Sequence, residues 1–88
     1  MALQMIAQFD TADFGAWTDV FDTERESLGH AGLSVLQVWR QPDKPNHAWV
    51  LFRVNDRDKA ETFIEGDAVA GAERAGIVHQ QHVFLETA

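Results

Sequence analysis

The stretch LSVLQVWRQPDKPNHAWVLFRV limits the fold more than any other part of the chain. Two runs rich in β-branched and aromatic residues, 33–41 and 48–54, flank a segment holding two prolines, Asp43 and Asn46. Proline has no N–H for a sheet ladder, and Asp and Asn favour turns, so that segment is a loop. With so short a connection the two runs can only form an antiparallel hairpin. Setting Arg40 opposite Ala48 puts Trp39 opposite Trp49 and Gln37 opposite Leu51. One face then carries Leu36, Val38, Val50, Phe52 and Val54, and is expected beneath helices. The other carries Gln37, Trp39, Trp49, Leu51 and Arg53. Side chains alternate along a strand, so a slip of one residue would mix the two sets.

The rest of the chain supplies partners for this hairpin. LQMIAQF at 3–9 alternates, with Leu3, Met5, Ala7 and Phe9 on one side and Gln4, Ile6 and Gln8 on the other. The period then changes. Phe14, Trp17, Phe21 and Leu28 form the apolar stripe of a helix. Thr11 or Asp13 caps its start, and Gly29 and Gly32 mark its end. NDRDKAETFIEGDAVAGAERAG is helical again, capped by Asn55 or Asp56, with Ala60, Phe63 and Ile64 inward. Gly66 breaks it before a short piece at 67–75, which Gly76 ends in the left-handed conformation with Ile77 as its hydrophobic contact. QHVFLE at 81–86 is the fourth strand. The order β-α-β-β-α-β predicts an α+β, ferredoxin-like fold: a four-stranded antiparallel sheet. Right-handed crossovers place the helices on one face.

Eighty-eight residues make a single domain, 1–88. Cysteine is absent, which removes disulfides, thiolate metal sites and cysteine nucleophiles; tyrosine is absent too, so no mechanism rests on a phenol. Seven Lys and Arg against 14 Asp and Glu give a formal charge of −7, which repels phosphate backbones and anionic lipid. Neither nucleic acid nor a membrane is an expected partner. The start, MALQMIAQFD, lacks the basic region and apolar run of a signal peptide, and the expected location is the cytoplasm.

The unshielded face of the sheet is unusual. It is expected to hold Trp39, Trp49 and Leu51, joined by Ile6 and Phe84, with Gln4, Gln8, Gln37, Arg53 and His82 among them. A face meant for water does not carry two tryptophans, and the chain has no third helix to cover it. The economical solution is a second copy, sheet against sheet, in a twofold dimer. Incomplete packing between such sheets would leave a cleft with aromatic walls and a few polar groups, the composition of a small-molecule site.

The segment NHAWVLFRVNDRDKAETFIEGDAVAGAERAGIVHQQHVFLE resembles the dimeric α/β-barrel superfamily, which includes antibiotic-biosynthesis monooxygenases and stress-responsive barrel proteins. Its ERAGIV…VFLE ending is similar to an uncharacterised branch. The resemblance spans the whole chain. It implies a homodimer whose two sheets enclose a cleft. Cofactor-free oxygenation, haem degradation and lactone isomerisation all occur on that scaffold, so fold alone does not choose among them.

The candidate site residues follow from that face. His82 is the candidate catalytic residue, the one side chain there able to move protons near neutral pH. Gln8, Gln37, Trp39, Trp49, Arg53 and Phe84 are the candidate ligand contacts. Each also has a plainer reading: the tryptophans as interface anchors, Arg53 in a salt bridge, the glutamines bonding each other. His79 and His82, three apart in a strand, point to opposite faces, and the resemblance places His79 in the loop after Val78. No metal site and no cofactor is expected. Two functions are open: a homodimer binding a small aromatic or apolar ligand between its sheets, as a cofactor-free monooxygenase or isomerase, or a non-catalytic dimeric structural or regulatory module with a self-filled interior.

Overall fold

The computed structural model describes residues 2–88. Its elements are β1 (Leu3–Thr11), α1 (Phe14–His30), β2 (Leu33–Arg40), β3 (His47–Val54), α2 (Arg57–Glu65), α3 (Asp67–Gly71) and β4 (Ile77–Glu86). The strands form one antiparallel sheet in the order β2-β3-β1-β4, the ferredoxin-like arrangement expected. No helix among the described residues is long and apolar enough to cross a membrane.

The helices start and stop for local reasons. Asp13 caps α1 by accepting from the Ala16 N–H, and Asp56 caps α2 by accepting from the Lys59 N–H. Gly32, at φ +74°, turns the chain out of α1 into β2, and its carbonyl accepts from the Asn55 N–H at 2.7 Å. Gly76, at φ +69°, closes the turn after α3: the Ile77 N–H bonds the Ala72 carbonyl and the Gly76 N–H bonds the Glu73 carbonyl. That pair of bonds is a Schellman end, which satisfies carbonyls a helix terminus otherwise leaves bare.

The core lies between the sheet and the helices. Met5, Ala7 and Phe9 from β1 and Ala48, Val50 and Phe52 from β3 meet Trp17, Phe21 and Leu28 of α1 and Ala60 of α2. The hairpin pairs Gln37 with Leu51, Trp39 with Trp49 and Arg40 with Ala48. A register shift between Val35 and Gln37 departs from simple alternation. Leu36 is the extra residue of this bulge. It is 48% exposed, not beneath the helices as alternation predicts, and Leu33 and Val35 take the inward places opposite Val54 and Phe52.

The two ends of α1 allow a paired test. A Cβ on Gly32 would sit 2.7 Å from the Asp56 carbonyl oxygen, in a backbone conformation L-residues avoid, whereas one on Gly29 meets nothing within 4 Å. Gly32→Ala is expected to cost on the order of 1–3 kcal/mol. Gly29→Ala, in a helix, should stabilise by up to about 1 kcal/mol. Urea unfolding of the two variants beside the parent chain checks both signs.

Candidate small-molecule cavity

The pairing of β4 with β1 decides what faces the helices. Met5 stands opposite Phe84, Ala7 opposite His82 and Phe9 opposite Gln80. Directly opposed residues share a face, so His82 and Phe84 lie on the helix side. This corrects the expectation that they join Ile6 on the open face; the β4 residues beside Gln4, Ile6 and Gln8 are Leu85, Val83 and Gln81. The cause is a second register shift, between Asp10 and Thr11. Thr11 pairs with Ile77 and Asp10 with His79, so Val78 is extra and stands 76% exposed. Strict alternation from Ile77 would put His82 outward; one inserted residue reverses it. His79 lies within β4 and not in a loop before it.

Between the sheet and the helices is a cavity of about 760 Å³. Met5, Phe9, Phe52, Gln80 and His82 form its floor; Trp17, Phe21, Thr62, Phe63 and Ala68 belong to its walls. Aromatic rings run in series along it. Phe9 and Trp17 are 5.4 Å apart, Trp17 stacks on Phe21 at 4.9 Å, and Phe21 lies 6.4 Å from Phe52. At the opening, Arg74 Nη2 donates to Glu24 Oε1 at 2.9 Å, an exposed pair joining α1 to the turn after α3. Gln80 Nε2 donates to the Ala68 carbonyl at 3.2 Å and ties β4 to α3.

His82 is the ionisable group on the cavity floor. The Phe9 ring meets it edge to face at 5.9 Å. Burial holds its imidazole below the ordinary value of 6.5, so the ring is neutral at pH 7 and keeps a free lone pair. Among the described residues no hydrogen bond ends on this ring, yet no buried side-chain nitrogen is left without a partner. Both ring nitrogens therefore reach open space. A neutral imidazole beside an apolar, aromatic-lined cavity can accept a proton from a bound molecule.

The remaining candidate residues gather on the other side of the sheet. Gln8 pairs with Trp49 and Gln4 with Arg53 across β1 and β3, and Gln37 and Trp39 continue the face on β2. Trp39, Val83 and Leu85 are 44%, 45% and 43% exposed. Arg53 makes no ion pair among the described residues. The Trp49 indole N–H donates to Gln41 Oε1 at 3.1 Å. A polar group unforeseen from the sequence closes one end of this face: His47 meets Asp10 through Nδ1 and Gln8 Oε1 through Nε2, the latter at 3.2 Å. Asp10 and His47 are partners across β1 and β3, and no hairpin in the sequence announces that pairing. No cluster of three or more metal-ligating side chains occurs among the described residues.

The depressed titration of His82 has a consequence for stability. The unfolded chain takes up this proton near the ordinary value, and the folded protein only at lower pH. Between the two the unfolded state binds more protons, so stability must fall as pH drops through that window. His82→Gln removes the contribution. The gap between parent and variant in urea midpoint is expected to change in the variant's favour below pH 6.5. Parallel curves from pH 8 to 5 would contradict the burial of this ring.

No protein-family model matches the sequence, and no curated protein does. Solved structures do match over nearly the whole chain. A variant of SnoaB, a cofactor-independent oxygenase from Streptomyces nogalater, aligns at 16% identity and TM-score 0.71, covering 98% of this chain and 92% of its own. An antibiotic biosynthesis monooxygenase aligns at 14% identity and TM-score 0.68, covering 98% of each. A dimeric ferredoxin-like protein from an uncultured marine organism aligns at 10% identity and TM-score 0.58, covering 99% of this chain and 90% of its own. At such identities the likeness is one of fold alone, the ferredoxin-like arrangement already described.

Proposed function

We propose that this chain is a homodimeric protein that takes a small, flat aromatic or apolar ligand into the cavity between its sheet and helices. It acts there as a cofactor-free monooxygenase or isomerase, with His82 as proton acceptor. The observation that carries the reading is the cavity itself. Its volume, about 760 Å³, falls within the range of roughly 300–1,000 Å³ usual for small-molecule sites. The packed rings of Phe9, Trp17, Phe21 and Phe52 back the cavity, and His82 and Gln80 supply polar atoms on its floor. On this reading the ligand lies within one chain and not in the cleft expected between two sheets. Likeness of fold to a protein described as a cofactor-independent oxygenase supports the reaction class.

The dimer rests on the open face. Trp39, Val83 and Leu85 form with Ile6, Leu51 and Trp49 a surface that water covers poorly. A second copy laid sheet to sheet would bury about 800 Å² on each side. Gln8, Gln37, Trp39, Trp49 and Arg53 then serve the interface, and Phe84 backs His82 on the helix side.

Two measurements separate these claims. Leu51→Asp places a charge at the centre of the open face and is expected to give a monomer by sedimentation equilibrium while 8-anilino-1-naphthalenesulfonate still binds. Ala68→Trp fills the cavity and should abolish that binding and its thermal stabilisation without changing the dimer. Dye binding lost in the first variant and kept in the second would place the ligand between the sheets and sink the proposal. With a turned-over substrate in hand, His82→Gln is expected to lower kcat by roughly 10²–10⁴ with little change in KM. Unchanged turnover would remove His82 from the chemistry.

A further inference from the structure

His82 borders more than one opening. Besides the large cavity, its ring lines a smaller crevice of about 290 Å³ beneath α2, whose other walls are Glu61, Ile64, Glu65 and Phe84. Arg57 holds this side together. Its guanidinium lies 5.0 Å over the Phe84 ring and its Nε donates to Glu61 Oε1 at 2.9 Å. Glu65, one turn further along α2, makes no ion pair among the described residues. His82 thus borders both the large cavity and an open recess that two glutamates line, with no protein group among the described residues bonded to either ring nitrogen.

We infer that His82 passes protons through the sheet–helix layer, from a ligand in the large cavity to water and the Glu65 carboxylate in the crevice. The inference rests on the large cavity being the ligand site. Imidazole suits the task because it can accept at one nitrogen and release from the other. The ligand's acidic O–H or C–H bond breaks and leaves its electron pair on the ligand. The proton bonds to the ring nitrogen on the cavity side. The proton already on the other nitrogen leaves to a water or to Glu65, and the ring is again neutral, as the opposite tautomer. The first tautomer returns by the reverse transfer once product leaves and water refills the chamber. No oxidant or metal enters this step. A bound ligand that plugs the large opening would otherwise trap its own proton in an apolar space, where a charged imidazolium is costly. The crevice relieves that.

Diethyl pyrocarbonate acylates neutral imidazole and reports whether a reagent can reach His82, with peptide mass spectrometry separating it from His30, His47 and His79. Saturating 8-anilino-1-naphthalenesulfonate fills the large cavity. Ile64→Trp and, as a milder surface change, Glu65→Trp fill the crevice. With the dye bound, the parent protein is expected to keep most of its acylation rate at His82, because the crevice stays open. Each tryptophan variant alone should also be acylated, through the large cavity. Dye and variant together should abolish acylation at His82 while His79, exposed and outside both openings, reacts as before. Full protection of the parent protein by dye alone would overturn the second route and leave the cavity reading standing. Continued acylation with both openings filled would overturn it too. Failure of the dye to bind the parent protein at all would overturn the cavity reading and this inference with it.

Discussion

The inserted residue Val78, opposite the step from Asp10 to Thr11, decides which face of the sheet every later residue of β4 takes. Upstream of it, Ile77 faces the helices; beyond it, the inward positions of β4 become Gln80, His82 and Phe84. An extra residue in one strand inverts the facing of everything that follows. Ala7, fully buried opposite His82, presents only a methyl group, so the imidazole meets little bulk from the neighbouring strand. Without that bulge the same ring would stand on the open face, solvated and ordinary. With it, the ring is desolvated and neutral against an aromatic chamber.

The chamber exists because the helices do not cover the sheet evenly. α1 runs 17 residues and packs Trp17, Phe21 and Leu28 into the core. The second helical layer breaks at Gly66 into pieces of nine and five residues, and the shorter piece buries no side chain. Apolar surface that a continuous helix would seal is left facing space. The space is open to solvent on one side, and the core rings behind it stay closely packed. Phe9 on the floor packs at 5.4 Å against Trp17 of the wall, which stacks on Phe21. The two faces of the sheet thus differ: one borders a cavity within a single chain, and the other carries exposed Trp39, Val83 and Leu85.

Much of the architecture was legible because it is written locally. The caps Asp13 and Asp56, the left-handed Gly76 and the break at Gly66 each depend on a residue's own backbone chemistry. The register of the β2–β3 hairpin followed from a short loop and two oily sets, and Gln37, Trp39 and Arg40 found the partners expected. What could not be read was set by long-range pairing. Bulges at Leu36 and Val78 carry no sequence mark, since both lie in runs that alternate acceptably either way. His82 and Phe84 therefore stand out in the sequence by residue type, while the face they occupy does not. The pairing of Asp10 with His47 escaped for the same reason, because the contact of β1 with β3 is not made by a hairpin. The cavity depends on where the second helical layer settles, which no local signal dictates.

The most direct test of where this protein binds uses its three indoles, which report separately on the two faces. Trp17 lines the cavity, whereas Trp39 and Trp49 belong to the open face. In a ¹⁵N-labelled sample, addition of a flat aromatic ligand should shift the indole N–H signal of Trp17 and leave those of Trp39 and Trp49 in place. Movement of Trp39 and Trp49 with Trp17 unchanged would put the ligand between two sheets and contradict the account.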